Sequence, residues 1–367
     1  MNVVIAAGGT GGHVFPALAL ADRLTHDHDA SVRFIGTPGG QEAKLVPNAG
    51  YRFDAIEALP FRRAPSTDAI KAPLVMLRSA HACRPLAREA DVVVGMGGYA
   101  SAPTILAARR AHVPIVLHEP NAVPGLVNRV GARFAAVVAV QFAELRERLR
   151  SARRVEVVGY PVRDAILSVP SNRAALRDEA IQTFGFDPDL RTVLVFGGSQ
   201  GALHLDEVVA ASLRILGERS DLQLLVLTGR AHLHIVGEPA SKAEITVHVL
   251  PFLDRMELAF AVADLAVTRA GATTIAELTV SGVPAILIPY PHATEHHQEA
   301  NARALQRAGA ADVLRDEALS PEVLAERIVT LVGNRERLRT MGERATMWAK
   351  PDAAQRLADL VTEVARG

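Results

Sequence analysis

The chain has little cysteine, few aromatic residues and no excess of either charge. Cys83 is the one cysteine among 367 residues, so no intramolecular disulfide can form. Aromatic residues make up 4% of the chain, too few for the stacking surfaces that bind single-stranded nucleic acid. Lysine plus arginine and aspartate plus glutamate number 40 each. This balance argues against a nucleic-acid partner.

Long apolar runs are missing as well. No segment reaches the ~20 apolar residues of a membrane-spanning helix. The first apolar run ends at a glycine cluster within ten residues, which predicts a first strand rather than a signal peptide. We therefore expect a protein made and kept in the cytoplasm. Segment 59–88 mixes basic and apolar residues, and fits either a membrane-surface helix or an ordinary amphipathic helix packed on a sheet.

Two glycine-rich turns are the most informative feature that is present. One runs from Gly8 to His13 after the apolar run 3–7, and the other from Gly197 to Gly201 after 193–196. Helices are predicted to follow at 16–24 and 203–216. Such turns bring backbone N–H groups and the partial positive charge of a helix N-terminus against an anion. The pair predicts two nucleotide-type domains and chemistry on phosphate-bearing molecules.

The strands predicted around these turns are near-continuous apolar runs, typical of parallel strands buried on both faces. They are expected at 2–7, 31–35, 91–95, 114–118 and 135–140, and again at 192–196, 222–228, 245–249, 265–268 and 284–288. The predicted fold class is α/β, with two Rossmann-like parallel-sheet domains facing a cleft. Residues 1–161, with a returning helix at 352–367, are predicted to form the first domain, and 162–351 the second.

Two common uses of a glycine-rich turn are disfavoured. A dinucleotide-binding fingerprint needs a third glycine, where Val14 stands, and an acid near the end of the second strand, which ends at Gly36 and Thr37. Neither turn carries the lysine of a P-loop. The histidines around His296 lack the spacing of a metal site. We therefore expect no metal and no cofactor.

A third polar segment follows the predicted strand 265–268. Thr273 and Thr274 can add hydroxyl groups to the N-terminus of a helix. Glu277, one turn further on, can accept two ribose hydroxyls, or can simply compensate the charge of the helix terminus. Without a metal, a leaving diphosphate needs a cation such as Arg163.

Seven motifs in a fixed order suggest a family. They are Gly8 to His13; Gly97, Gly98 and Tyr99 with Ser101 and Pro103; His118 and Glu119 with Asn121, Gly125 and Asn128; Pro161 to Arg163; Gly197 to Gly201; Arg269 to Glu277; and His297 and Gln298 with Asn301. With these motifs the chain resembles the MurG family of bacterial peptidoglycan glycosyltransferases, which add N-acetylglucosamine to a lipid-linked N-acetylmuramyl-pentapeptide. Pro120 and His296 depart from the family pattern, which often has glutamine and an acid there.

The resemblance implies a GT-B fold, with UDP-N-acetylglucosamine on the second domain and the lipid-linked acceptor on the first. It implies donor contacts from Arg163, Ser199, Gln200, Phe252, Leu253, Ala272, Thr273, Thr274, Glu277, Gln298 and Asn301. It implies acceptor contacts from Thr10, Gly11, Gly12, Tyr99, Asn121 and Asn128. His13 is the first candidate for the general base, with a neutral imidazole that orients the loop or binds phosphate as the alternative role, and Glu119 is the second candidate.

The implied reaction is inverting transfer of N-acetylglucosamine to the 4-hydroxyl of undecaprenyl-pyrophosphoryl-N-acetylmuramyl-pentapeptide. The implied location is the cytoplasmic face of the inner membrane, as a peripheral protein. Two alternatives stay open from the sequence. A UDP-N-acetylglucosamine 2-epimerase shares the two-domain plan and the donor, and a non-catalytic protein could bind the UDP-sugar without turning it over.

Overall fold

The computed structural model of the protein describes residues 1–8, 11–59, 67–198 and 201–367, with no description of the side chains of 67–70. Of the sequence-predicted site residues, Thr10, Ser199 and Gln200 lie outside the described residues. So does part of the basic and apolar segment 59–88. The chain divides into two compact units, Met1–Arg163 with Lys350–Gly367, and Asp164–Ala349.

The first unit is built on a parallel sheet. Its described strands are β1 (Asn2–Ala6), β2 (Ser31–Gly36), β3 (Arg52–Ala55), β4 (Val92–Gly95), β5 (Ile115–Glu119), β6 (Val137–Val140) and β7 (Val155–Val157). They are ordered β3-β2-β1-β4-β5-β6-β7. Val3 of β1 pairs with Val32 on one side and Val92 on the other. The chain leaves β1 in one direction and later returns to its other side, so the topological switch point lies between β1 and β4.

The second unit repeats this plan. Its described strands are β8 (Arg191–Phe196), β9 (Leu222–Leu227), β10 (Thr246–Leu250), β11 (Leu265–Thr268), β12 (Ala285–Leu287) and β13 (Ala311–Val313). The order is β10-β9-β8-β11-β12-β13, with every pair parallel. The switch point here lies between β8, which precedes the second glycine-rich turn, and β11.

Helices cover both sheets. Those of the first unit are α1 (Gly11–His28), α2 (Glu42–Asn48), α3 (Thr67–Glu89), α4 (Ala102–Ala111), α5 (Leu126–Gly131), α6 (Leu145–Arg148) and the last helix, α16 (Ala353–Arg366). Those of the second are α7 (Asp164–Leu167), α8 (Val169–Phe184), α9 (Leu203–Leu216), α10 (Leu233–Ser241), α11 (Met256–Val262), α12 (Ala272–Ser281), α13 (His297–Arg307), α14 (Pro321–Val332) and α15 (Arg335–Trp348).

Helix α16 packs on the first sheet although it follows the whole second unit in the chain. Leu357 and Val361 are fully buried in the same core cluster as Val3 and Ile5 of β1. Burial of each such side chain is worth roughly 1.5–3 kcal/mol. The four-residue spacing places both on one face of the helix, so this face fastens the end of the chain to the first unit.

The predicted strands are all present, within a few residues of their expected ends, and the two-sheet α/β fold class is confirmed. Helix α9 matches its prediction, and α1 begins five residues earlier than expected. The sequence did not predict β3, β7 and β13. Each is an edge strand of three or four residues with mostly part-buried side chains, so none carries the apolar run that marks a central strand.

Candidate functional site

The carboxyl ends of β1, β4 and β5 are neighbours, and the polar segments that follow them lie at one edge of the first sheet. This edge holds the start of α1, the turn at Gly97 and Gly98, and the loop after Glu119. Both glycines have a positive φ, 89° and 74°, a conformation that a side chain disfavours. In open α/β sheets ligands bind outside the carboxyl ends of the strands, at the switch point.

The Glu119 carboxylate organises the loop after β5. It is 2% exposed. Its Oε1 accepts the backbone N–H of Asn121 at 3.0 Å, and its Oε2 accepts the backbone N–H of Gly125 and the side-chain amide of Asn128, both at 2.9 Å. Burial raises the pKa of Glu119, and these N–H donors oppose the rise. The carboxylate therefore binds its own loop on both oxygens.

The imidazole of His13 lies against the turn after β4. A Cβ built on Gly97 would be 3.3 Å from its Nε2 and 3.5 Å from the Asn128 amide nitrogen, and a Cβ on Gly98 would be 3.4 Å from its Cε1. Absence of side chains at both glycines thus lets the ring approach the turn. The structure brings His13, Asn128 and Glu119 together at one edge. Tyr99, partly exposed, begins the 3₁₀ turn that follows Gly98.

His118 lies beneath this group and is fully buried. Its Nε2 donates to the carbonyl oxygen of Gly159 at 3.0 Å, and Nδ1 has no hydrogen-bond partner within the described parts of the chain. Burial lowers the pKa of His118 to about 4. The imidazole is therefore neutral at physiological pH.

Sequence analysis missed a buried acid at the first glycine-rich turn. Glu42, on α2, is fully buried and accepts the backbone N–H of Thr37 at 2.9 Å and its hydroxyl at 2.7 Å. A Cβ on Gly8, Gly36 or Gly40 would overlap its side chain. Gly36, Gly39 and Gly40, just before the acid in the sequence, were a signal that could have revealed it. Glu42 was missed because it lies six residues beyond the end of β2, whereas the dinucleotide-binding fingerprint requires an acid at the end of that strand.

In the second unit, Gly201 closes the glycine-rich turn after β8. Its φ is 76°, and a Cβ there would overlap the carbonyl oxygen of Thr228 and come within 2.9 Å of His232 Nδ1. That nitrogen donates to Asp206, a fully buried acid on the first turn of α9, at 2.8 Å. Burial raises the pKa of Asp206, and the bond to His232 opposes the rise. No motif indicated this pair, whose members lie 26 positions apart in the chain.

A second ionic group lies beside it. Arg269, 7% exposed, forms an ion pair with Asp316 and donates to the carbonyl oxygen of Ile288 at 3.3 Å. Asp316 also accepts from His204, at 3.0 Å. The guanidinium lies 5.6 Å from the centre of the Tyr290 ring. This group therefore ties together the segments that follow β11 and β12.

The turn before α12 is held by two amide side chains. Gln298 Oε1 accepts the backbone N–H groups of Ala270 and Tyr290 at 3.1 and 3.0 Å. Asn301, fully buried, donates to the carbonyl oxygen of Ala270 at 3.1 Å. Behind this turn, Glu277 is 8% exposed on α12.

The other sequence-predicted donor residues occupy three places. Ala272, Thr273 and Thr274 form the first turn of α12, and Phe252, 54% exposed, and Leu253 follow the end of β10. Arg163 is the last residue of the segment Met1–Arg163, which belongs to the first unit. Its guanidinium lies 5.1 Å from the ring centre of Phe15 on α1. Over the described ranges no group of three or more His, Cys, Asp or Glu residues is arranged to hold a metal ion.

Both units match known domain families. The model of the glycosyltransferase family 28 N-terminal domain matches residues 3–140, and that of the family 28 C-terminal domain matches residues 192–357. These matches, together with two parallel sheets that each carry a glycine-rich turn, define a glycosyltransferase with the GT-B fold.

Comparison with individual relatives shows which family of GT-B glycosyltransferases the chain belongs to. A protein from Halothermothrix orenii is named UDP-N-acetylglucosamine–N-acetylmuramyl-(pentapeptide) pyrophosphoryl-undecaprenol N-acetylglucosamine transferase. It is 40% identical over 377 aligned positions that cover all of both chains. The crystal structure of Acinetobacter baumannii MurG is 32% identical, covers 99% of both chains and superposes with a TM-score of 0.80. The chain therefore belongs to the MurG family of N-acetylglucosamine transferases, as its motifs predicted.

The fold is also shared more widely. The UDP-N-acetylglucosamine 2-epimerase of Neisseria meningitidis superposes with a TM-score of 0.70 at 13% identity, covering 99% of this chain and 100% of that one. At this identity the likeness concerns the fold alone.

Proposed function

We propose that this protein transfers N-acetylglucosamine from UDP-N-acetylglucosamine to the 4-hydroxyl of undecaprenyl-pyrophosphoryl-N-acetylmuramyl-pentapeptide, with inversion at the anomeric carbon. The observation that carries the proposal is full-length identity of 40% to a relative named for this reaction. The hydroxyl oxygen forms a bond to the anomeric carbon as the bond to the β-phosphate oxygen breaks, and UDP leaves. The hydroxyl proton passes to a base within hydrogen-bond reach.

The second unit is proposed to bind the donor. Backbone N–H groups at the second glycine-rich turn and at the start of α12 suit a diphosphate, with Ser199, Gln200 and Thr273 as its proposed contacts. Arg163, which the sequence also predicted to contact the diphosphate, belongs to the first unit. Glu277 is proposed to accept the ribose hydroxyls, with Ala272 and Thr274 beside it. Phe252 and Leu253 would take the uracil. Gln298 keeps its Nε2 for a sugar hydroxyl while Oε1 holds the turn at Ala270, and Asn301 acts through the same turn.

The first unit is proposed to bind the acceptor. Thr10, Gly11 and Gly12 would contact its diphosphate, and Tyr99 and Asn121 its sugar. Asn128, 1% exposed and bonded to Glu119, would act by holding the loop after β5.

His13 is the proposed general base. Its ring is partly exposed at the edge where the acceptor would bind, and it carries a nitrogen that can accept a proton. Glu119 suits the role less well, because both of its oxygens already accept N–H groups of its own loop. We assign Glu119 the task of shaping the acceptor loop.

The lipid on the acceptor requires access to a membrane surface. No helix in the parts of the chain described here is both long and apolar enough to cross a membrane. On α3, Leu74 and Leu77 are 72% and 43% exposed, with Lys71 and Arg78 exposed nearby. Exposed apolar side chains flanked by basic ones suit the anionic cytoplasmic leaflet. We propose that α3 docks the protein peripherally on the cytoplasmic face of the inner membrane. Because the proposed reaction serves peptidoglycan synthesis, we also propose that loss of the enzyme alters cell shape and division.

The test is UDP release from UDP-N-acetylglucosamine with and without the lipid-linked acceptor, in the presence of EDTA. Release that needs the acceptor and is undiminished by the chelator is the expected result. Release without the acceptor, together with formation of an epimer, would instead indicate a 2-epimerase. Donor binding with no release in either mixture would indicate a binding protein and would overturn the transferase.

A further inference from the structure

The start of α1 has an irregularity that another part of the first unit corrects. In an α-helix the carbonyl of residue i accepts the N–H of residue i+4. For Gly12 that residue is Pro16, which has no N–H and whose ring crowds the carbonyl one turn earlier. The Gly12 carbonyl, adjacent to His13, therefore needs a donor from outside the helix.

Tyr160 supplies this donor. Its hydroxyl donates to the Gly12 carbonyl oxygen at 2.9 Å, and its side chain is 3% exposed. This part-buried hydrogen bond joins the first turn of α1 to a segment 148 positions away in the chain, and it supplies the Gly12 carbonyl with a donor that the helix lacks.

The segment that carries Tyr160 is itself fixed on the same edge of the sheet. The Gly159 carbonyl accepts from His118 at 3.0 Å, and the Arg163 guanidinium lies 5.1 Å from the ring centre of Phe15 on α1. A Cβ on Gly159 would come within 3.1 Å of Ala353 at the start of α16. Tyr160 thus belongs to a segment held from several sides, which makes it a rigid support.

We propose that Tyr160 is a positioning residue for His13: its hydroxyl fixes the first turn of α1 through the Gly12 carbonyl and thereby sets the His13 imidazole against Gly97 and Gly98. This inference rests on the proposed catalytic part of His13. Misplacing a catalytic group by about 1 Å can cost on the order of a hundredfold in rate. Loss of one hydrogen bond that permits a smaller displacement is expected to cost about tenfold.

The experiment is a double-mutant cycle on the full-length protein with Tyr160→Phe and His13→Ala. Tyr160→Phe is expected to lower kcat about tenfold and to leave the Kd for UDP unchanged. In the His13→Ala background the same change is expected to alter kcat less than about twofold, because the group it positions is gone. A full tenfold loss in that background would overturn the proposal, and so would an unchanged kcat in the single variant.

Pro16→Ala tests whether the rate lost in Tyr160→Phe arises at the Gly12 carbonyl. Alanine at this position restores the N–H that the Gly12 carbonyl lacks, so Tyr160→Phe/Pro16→Ala is expected to recover most of the lost rate. The matched control is Tyr51→Phe, which removes a hydroxyl bonded to Asp22 at 2.6 Å before β3, at the opposite edge of the sheet. It should leave kcat unchanged. Equal losses from both tyrosine variants, without rescue, would contradict positioning.

Failure of the proposed base is separable from failure of this inference. If His13→Ala keeps full turnover, His13 is not the base. The NMR resonances of the His13 imidazole then test whether Tyr160 positions the ring. Tyr160→Phe is expected to shift them in histidine-labelled protein, whereas Tyr51→Phe should not. Resonances unmoved by Tyr160→Phe would overturn the proposal whatever the kinetics.

Discussion

The two units share one plan but secure their polar edges differently. In the first, the buried Glu119 carboxylate accepts N–H groups of its own loop, the buried Glu42 accepts from Thr37, and His118 is buried and neutral. In the second, acids pair with basic side chains: the buried Asp206 with His232, and the buried Arg269 with Asp316. The same strand–turn–helix unit can therefore be stabilised by hydrogen bonds from its own loops to buried acids, or by pairing of acids with basic side chains. His13 lies at the polar edge of the first unit, where we propose that it acts as the base, and the glycine-rich turn of the second unit is the proposed anion site.

The comparison predicts that catalysis depends on the first unit while donor affinity depends on the second. His13→Ala is expected to lower kcat about 10²–10⁴-fold if His13 is the base, with UDP affinity unchanged. Steady-state UDP release and calorimetry measure the two quantities. His26→Ala, near the end of the same helix, is the control and should behave as wild type. A loss confined to KM would assign His13 to binding instead.

Two glycines of the second turn separate backbone strain from steric contact. Gly198 and Gly201 both have a positive φ, 90° and 76°, but a Cβ on Gly198 meets no described atom within 4 Å, whereas one on Gly201 overlaps the Thr228 carbonyl. Gly198→Ala should cost about 1–2 kcal/mol of unfolding free energy. Gly201→Ala should cost about 3 kcal/mol or more and weaken UDP binding. Urea unfolding measures the difference, and equal costs would show that the contact relaxes.

Acid should weaken the first unit through His118. Its pKa is about 4 in the folded protein against an ordinary 6.5, so between these values the unfolded chain binds more protons. This histidine's contribution is complete above about pH 6.5 and falls by about 3 kcal/mol as the pH drops to 4. The unfolding free energy of His118→Asn should lack this loss between pH 6.5 and 4, which urea unfolding at a series of pH values measures.

Glu119 acts in the opposite direction. Its raised pKa means that the folded state keeps its proton longer, which adds stability as the pH falls. Because Glu119 is present in both proteins, the difference between wild type and His118→Asn isolates the histidine. Identical pH dependence of unfolding in the two proteins would show that His118 is not neutral in the fold.

The smallest expected effect is a loss of UDP affinity when Glu277, in the proposed donor site, is replaced. Glu277→Ala removes a carboxylate proposed to bind the ribose, and a hydrogen bond to a charged group is worth about 1.5–3 kcal/mol. UDP affinity should fall about 10–100-fold by calorimetry, with the unfolding midpoint unchanged. Glu322→Ala, exposed on α14, is the matched control. Unaltered UDP binding in Glu277→Ala would reject the role.

Much of the fold could be predicted because its central strands are continuous apolar runs, and because glycine marks the turns that follow β1 and β8. The edge strand β3 could not, since the side chains of Arg52–Ala55 are exposed or only partly buried and the segment resembles a loop in sequence. Motif order predicted the family. The roles proposed for individual site residues, such as Gln298, remain predictions.

By itself the sequence determined the two sheets, the glycine-rich turns and the family, because apolar periodicity and turn chemistry are local properties. Only the tertiary structure decided which polar groups meet. Glu42 reaches three glycines, Asp206 meets His232, and the Tyr160 hydroxyl lies 2.9 Å from the Gly12 carbonyl, 148 positions away in the chain. Burial makes such partners necessary, because a polar group removed from water must find one, but packing of distant segments selects which partner it finds.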